Sequence, residues 1–300
     1  MTSGTTMTAV DGIRKGGRGL QSPIPAEKSY RRGRWAIYLF LIVVCICQLL
    51  PFYFAVTTSL KPADDMSSSL VMRTHDLAWG NWAQAISEGG ILKAVLNSAI
   101  VTVATTLLVC VFGAAAAYPL ARRVTRGNKL ISTFILSMMM IPPLSILVPL
   151  YSFLVNIGGV NNYWGIVLVL TAEKLPLAVF LYTAFIKAIP PAIDEAGALD
   201  GANRFQVFVR LVLPMLKPVT ATVVIMTGSA VWNEYALSSY ILTDPGAQTI
   251  APRVASFFSV NTNNLGVAAA SALIAAAPIV VAYMFLQRYF IAGMVAGSVK

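Results

Sequence analysis

The sequence predicts an all-α, polytopic membrane protein with six transmembrane helices and a helix–turn–helix elbow outside the bilayer. Three observations predict it. Of 300 residues, 57% are hydrophobic and 11% charged, against roughly 25% charged in soluble domains, and the mean hydropathy is +0.73. The apolar residues fall into runs that reach the ~18 residues needed to cross a bilayer. The charge is also segregated. Of the 22 lysines and arginines, seventeen lie in the N-terminal tail, the 119–129 loop, the 187–217 segment and the C-terminal end, and four in the intervening segments. That bias places both termini and the 187–217 segment in the cytoplasm, and an even number of spans follows from it.

Residues 1–34 are rich in Gly, Ser and basic side chains and hold too little apolar surface to fold, so a disordered cytoplasmic tail is expected. The stretch ahead of Trp35 is too long and polar for a cleaved signal peptide. The first span is 35–57, with Pro51 near its outer end, and 58–92 is an extracytoplasmic segment with Asp64, Asp65, Asp76 and Glu88. Trp79 and Trp82 suit the membrane interface. A five-helix transmembrane domain occupies 93–289. Its first helix, the second span, runs from Lys93 to Tyr118, and the third span from Leu130 to Tyr151. Pro142, Pro143 and Pro149 free carbonyls that lipid cannot satisfy, so this span faces protein or a watery path. The uncharged turn 156–162 leads to the fourth span, Tyr163–Phe185, which contains Glu173, Lys174 and Pro176. The fifth span, Val219–Leu242, holds Trp232, Asn233 and Glu234. An outer loop with Asp244, Arg253, Phe257 and Phe258 precedes the last span, Leu265–Phe285, and 290–300 is a cytoplasmic tail.

The chain is organised around Glu195–Pro214, EAGALDGANRFQVFVRLVLP. Pro190 and Pro191 suit the first turn of a helix. That helix carries Asp194 and Glu195 early and stops near Gly201, a natural left-handed terminator. Asn203 caps a second helix, Arg204–Leu213, which Pro214 halts. The segment resembles the cytoplasmic EAA loop of ABC-transporter permeases. Glu195, Ala196, Gly201, Leu213 and Pro214 match that pattern, Gly197 replaces its second Ala, Leu211 replaces its Ile, and Asp200 lies beside the glycine. The resemblance extends over most of the chain from about residue 35. It is nearest the carbohydrate importers, and there the second permease of the maltose-transporter G type, through Met140–Tyr151, Trp232–Tyr235 and the Gln287–Lys300 ending. Asn97-Ser98 is similar to the opening of that family's transmembrane domain.

The resemblance implies a permease subunit of an ATP-driven, binding-protein-dependent carbohydrate importer in a bacterial-type inner membrane. It implies a second permease subunit in a heterodimer, two copies of a cytoplasmic ABC ATPase and an extracytoplasmic solute-binding protein. ATP and Mg belong on the ATPase, and no cofactor is expected on this chain. The elbow at 187–217 then docks the ATPase and passes its motion to the spans. Phe257 and Phe258 are candidates for contact with the binding protein, or for interfacial anchoring. The C-terminal stretch is similar to a tail that approaches the ATPase dimer.

The residues themselves exclude several classes. No G-x-x-x-x-G-K-[ST] phosphate cradle is present, so ATP hydrolysis belongs to another polypeptide, and the resemblance implies a transport subunit rather than an enzyme. Cys45, Cys47 and Cys110 lie in apolar runs and read as packing residues. The single histidine, His75, lacks a second ligand at metal-binding spacing. Basic charge confined to span-flanking segments argues against nucleic acid. Glu173 and Glu234 are carboxylates inside spans, where ionisable groups mark a path or a partner. Glu173-Lys174 reads as a locally compensated pair, or as two residues with partners on other helices, since neighbours on a helix do not face each other. Trp232, Asn233 and Glu234 offer an aromatic face and polar partners suited to sugar hydroxyls, or hydrogen bonds between helices. Alternative functions are a permease for another solute, such as a glycerol-phosphate or peptide, and an ion-coupled secondary transporter.

Overall fold

The computed structural model describes residues 27–65, 68–71, 75–87, 89–260 and 264–298, with side chains at 34–65, 68–71, 75–87, 89–258 and 264–285. Of the tail expected to be disordered over 1–34, residues 1–26 lie outside the described residues, as do Glu88 and the side chains of Gln287–Lys300, whereas 27–34 are helical and open the first helix, continuous with the apolar run that follows. Among the described residues every regular element is helical.

The chain divides into two units, Met1–Phe52 and Tyr53–Lys300. The described residues of the first belong to α1 (Glu27–Ser59). Its apolar stretch, Arg34–Ser59, contains an 18-residue window with a mean hydropathy of 2.5, and Trp35, Leu39 and Phe40 are exposed as lipid-facing side chains are. Arg34 donates from Nη2 to the Tyr38 hydroxyl at 3.1 Å, one turn away.

The second unit holds α2 (Gly80–Ser87), α3 (Ile91–Arg122), α4 (Arg126–Met138), α5 (Leu147–Asn156), α6 (Tyr163–Ala188), α7 (Ala192–Leu199), α8 (Arg204–Val207), α9 (Leu213–Met215), α10 (Lys217–Trp232), α11 (Ala236–Ile241), α12 (Ile250–Val260) and α13 (Leu265–Ser298). Its centre is the pairing of α3 with α6. Small residues make that approach close: a Cβ on Gly113 would lie 3.1 Å from Ala178 Cβ and 3.3 Å from Tyr182 Cδ2. Packing of this kind, not hydrophobicity, holds helices together where the solvent is lipid. Val109, Ala114, Ala117, Val179 and Ile186 fill the same seam, and Val207, Val212, Leu216 and Val223 extend it beneath the elbow. Tyr182 joins α6 to α10 by donating to Thr220 Oγ1 at 3.0 Å.

Polar side chains close the opposite end. Asn97 Nδ2 donates to the carbonyls of Gly246 (3.1 Å) and Gln248 (2.8 Å), and Asn97 Oδ1 accepts from the Tyr163 hydroxyl at 2.7 Å. Ser98 Oγ accepts the Ile250 N–H at 2.7 Å. Asn97-Ser98 thus fastens the 243–250 connection to the first turns of α3. Asn81 does similar work, donating to the carbonyls of Ser59 and Lys61.

Among the described residues, four helices are individually long and apolar enough to cross a membrane: Arg34–Ser59, α3, α6 and Leu265–Phe285. Six result if each of two bent pairs counts as one span. The expected third span is such a pair. α4 is followed by a 3₁₀ turn at Pro143–Ile146 and then α5, with a bend of 93° between the two arms. Pro142 and Pro143 break the ladder here by removing donors and excluding the preceding turn. The expected fifth span is also not continuous: α10 ends at Trp232 and α11 begins at Ala236. Helices α2 and α12 occupy segments read from sequence as an extracytoplasmic stretch and a loop.

Candidate functional site

The elbow between α6 and α10 is built by local rules. α6 ends at Ala188, and Ile189 is extended ahead of Pro190, as a residue before proline must be. Asp194 and Glu195 stand in the first turn of α7, where the helix dipole favours negative charge. The turn after α7 has Gly201 at φ +82. Gly201 N–H donates to Ala198 O at 3.1 Å and Ala202 N–H to Gly197 O at 3.0 Å, the paired bonds of a Schellman cap. Asn203 then opens α8 with a capping box. Its Oδ1 accepts the Gln206 N–H at 2.9 Å, and its own N–H donates to Gln206 Oε1 at 2.8 Å.

Pro214 does not halt the second helix. The chain widens into a π-turn at Phe208–Val212, and Leu213 N–H bonds to Phe208 O, five residues back. A proline lacks the N–H of an α-turn and its ring crowds the carbonyl four residues earlier. A wide turn immediately before it relieves that conflict. The chain bends later, by 73° between Arg204–Met215 and α10.

The two departures from the EAA pattern meet in space. Gly197 is buried, and a Cβ there would lie 2.7 Å from Leu211 Cδ1 and 3.1 Å from Val207 Cγ2. Leu211 therefore reaches into room that an alanine at 197 would take. On the outward side, Leu199 is 89% and Phe205 74% exposed, and Glu195, Ala196, Asp200, Gly201, Leu213 and Pro214 are exposed with them. A cavity of about 620 Å³, open to the surface, lies between the elbow and the end of α3, lined by Tyr118, Arg122, Asp194, Glu195, Arg204, Phe205 and Phe208.

The elbow is anchored by residues that local sequence reasoning missed. Arg122 Nη2 lies 2.7 Å from Asp194 Oδ2, and the Tyr118 hydroxyl donates to Asp194 Oδ1 at 2.6 Å. Tyr118 also packs on Phe208, with ring centroids 5.1 Å apart. The only local signals were a basic residue ending α3 and an acid among apolar neighbours. Each has an ordinary explanation on its own.

The intramembrane candidates do not converge on one site. Lys174 Nζ donates to Glu173 Oε1 at 2.7 Å, so the two neighbours pair with each other rather than with other helices. Their Cβ atoms diverge, but the four-carbon lysine stem bends back far enough. Trp232 is buried, and its indole N–H donates to Ala275 O in α13 at 3.3 Å. Asn233 Nδ2 caps α10 through Ser229 O at 2.9 Å. Glu234 caps α11, with Oε1 accepting Leu237 N–H at 2.7 Å, and Oε2 accepting Ser238 N–H at 2.8 Å together with the Ser238 hydroxyl. The triplet thus forms a capped helix break. Beside it, α3, α10 and α13 enclose a largely apolar cavity of about 560 Å³, lined by Thr102, Thr106, Gly228, Trp232, Ile279 and Tyr283 among others.

Phe257 and Phe258 separate. Phe258 is 50% exposed, whereas Phe257 is 7% exposed and buried in a cluster with Ala85, Ile91 and Val267. The Arg253 guanidinium sits 5.8 Å from its ring, and Arg253 Nε donates to Gly89 O at 2.7 Å. Of the two residues expected to contact a binding protein or anchor the chain at the interface, packing in the core cluster takes Phe257 and leaves Phe258 at the surface. Phe257→Ala should cost about 3–5 kcal/mol of stability and lower the yield of folded protein in detergent. Phe258→Ala should leave that yield at wild-type level.

The family described as binding-protein-dependent transport system inner membrane component matches residues 109–295. The chain belongs to that family. This inner-membrane component is 41% identical over 265 residues to the melibiose/raffinose/stachyose import permease protein MelC of Bacillus subtilis (strain 168), covering 88% of this chain and 96% of the relative. It is 29% identical over 265 residues to the probable starch degradation products transport system permease protein AmyC of Thermoanaerobacterium thermosulfurigenes, covering 86% and 94%. A chain of a bacterial ABC transporter involved in the import of the acidic polysaccharide alginate superposes with a TM-score of 0.75 at 18% identity, covering 90% of this chain and all of that one. The fold is thus that of an ABC importer permease. The component is a membrane transport subunit, not an enzyme, as the family and the permease relatives show.

Proposed function

We propose that this chain is the permease subunit of an ATP-driven, binding-protein-dependent carbohydrate importer. It forms the translocation path with a second permease and is driven by two copies of a separate cytoplasmic ATPase, where ATP and Mg bind. A solute-binding protein delivers the sugar on the outer side, with Phe258 in its contact surface. The elbow at 187–217 is the coupling loop. Its exposed Glu195, Leu199 and Phe205 present a docking face, and its buried Val207, Val212 and Leu216 join the α3–α6 core. The charge bias supports a cytoplasmic side for both termini and the elbow.

The observation that carries the carbohydrate assignment is the identity with MelC along nearly the whole chain. The cargo is an uncharged oligosaccharide. Lys174 stands midway along the α6 span, and Glu173 neutralises it at 2.7 Å. An anionic substrate would meet no net positive charge there. Trp232, Asn233 and Glu234 act on the path indirectly, by fixing the break between α10 and α11. The test is uptake into proteoliposomes containing the reconstituted complex, with raffinose-type sugars as cargo. ATP-dependent uptake that excess uronate oligosaccharide fails to inhibit is expected. Uptake without ATP, driven by an ion gradient, would contradict the reading.

A further inference from the structure

Arg122 and Asp194 do more than neutralise each other, because each also reaches another element. Arg122 closes α3, and its Nη1 donates to the carbonyls of Ile186 (3.0 Å) and Ile189 (2.8 Å) at the end of α6. Its Nη2 meets Asp194 Oδ2 in the first turn of α7 at 2.7 Å. Asp194 returns to α3 through the Tyr118 hydroxyl, one turn before Arg122. The two charged side chains are only 13% and 19% exposed. One guanidinium is thus shared among the ends of three helices, and its planar fork serves acceptors in three positions as a lysine cannot.

We propose that Arg122 and Asp194 are positioning residues that lock the elbow to the ends of α3 and α6, so that a displacement of α7 moves both helices as one body. The proposal rests on reading the elbow as the coupling loop. Exposed ion pairs contribute little, but removing one partner of a largely buried pair leaves the other charge uncompensated. Nearby charges do not substitute: Glu195, Arg123 and Arg204 are exposed. Without the pair, the elbow still docks but no longer carries the spans with it.

The experiment measures sugar imported per ATP hydrolysed by the full complex in proteoliposomes. Asp194→Asn keeps the shape and an acceptor for Tyr118 but removes the charge. It should co-purify with the ATPase in wild-type amounts and lower sugar imported per ATP about tenfold. Arg122→Lys should behave alike, and Asp194→Glu should restore most of the coupling. Unchanged import per ATP in Asp194→Asn would overturn the proposal. So would loss of the ATPase from that complex, which would make the pair a fold-holding contact. A second readout needs no cargo. Spin labels at Val124 and Leu199, 79% and 89% exposed, are placed in a chain with Cys45, Cys47 and Cys110 replaced by Ser. They should give one narrow distance that broadens in Asp194→Asn, and equal distributions would overturn the lock. A wild-type complex that hydrolyses ATP without importing sugar contradicts the carbohydrate assignment alone, because the label distances still report on the lock.

Discussion

Glu195→Lys combined with Gly201→Leu should abolish ATP-driven uptake, by about a hundredfold or more, while the chain still reaches the membrane in normal amounts. The two changes act on different terms. Glu195 is exposed in the first turn of α7, and a lysine there opposes the helix dipole, an effect of about 0.3–1 kcal/mol, while reversing the charge offered to a docking partner. Gly201 has φ +82, a conformation that costs any other residue about 1–2 kcal/mol. A leucine there would undo the Schellman cap that sets the angle between α7 and α8. Neither position lies in a core cluster, so insertion and helix packing are spared. The readout is radiolabelled sugar uptake normalised to membrane protein, and uptake within twofold of wild type would remove the elbow from the coupling path.

Gly165→Ala should be the most damaging single methyl group in the bundle. A Cβ at 165 would lie 2.0 Å from Gly159 O and 2.9 Å from Gly159 Cα. These are backbone atoms, and no side chain can turn aside. Overpacking of this kind costs roughly 1–3 kcal/mol or more. The strain falls at the start of α6, beside fully buried Leu154 and Ile166. Detergent-solubilised protein should lose most of its monodisperse fraction. Gly80→Ala, where nothing stands within 4 Å, should keep it.

The elements that follow from nearest-neighbour chemistry were legible in the sequence. Gly201 as a left-handed terminator and Asn203 as a cap depend only on residues within a turn, and both are found as expected. The apolar runs at α3 and α6 are equally direct. What was not legible depends on partners far along the chain or on ways around a local rule. Tyr118 and Asp194 are 76 residues apart, and no spacing announces their bond. Pro214 was expected to stop a helix, yet a π-turn lets the helix pass it. The apolar run around Trp232 conceals a break, because Asn233 and Glu234 satisfy the exposed helix ends with their own side chains. Asn233 and Glu234 suited either sugar hydroxyls or bonds between helices, and the contacts they make are those of helix caps. Phe257 and Phe258 were read together as a contact or anchoring pair, whereas α12 turns the Phe257 ring inward, which adjacent residues in a loop do not announce.

The central claim is that this chain works as a membrane subunit driven through its elbow by a separate ATPase. Its most direct test is purification of the tagged chain from native membranes in mild detergent, with mass spectrometry of what accompanies it. The expected result is a soluble ATPase with a phosphate-binding loop and a second polytopic permease, with the ATPase lost when Glu195 and Gly201 are replaced. Recovery of the chain alone, transporting in liposomes without ATP, would contradict the claim.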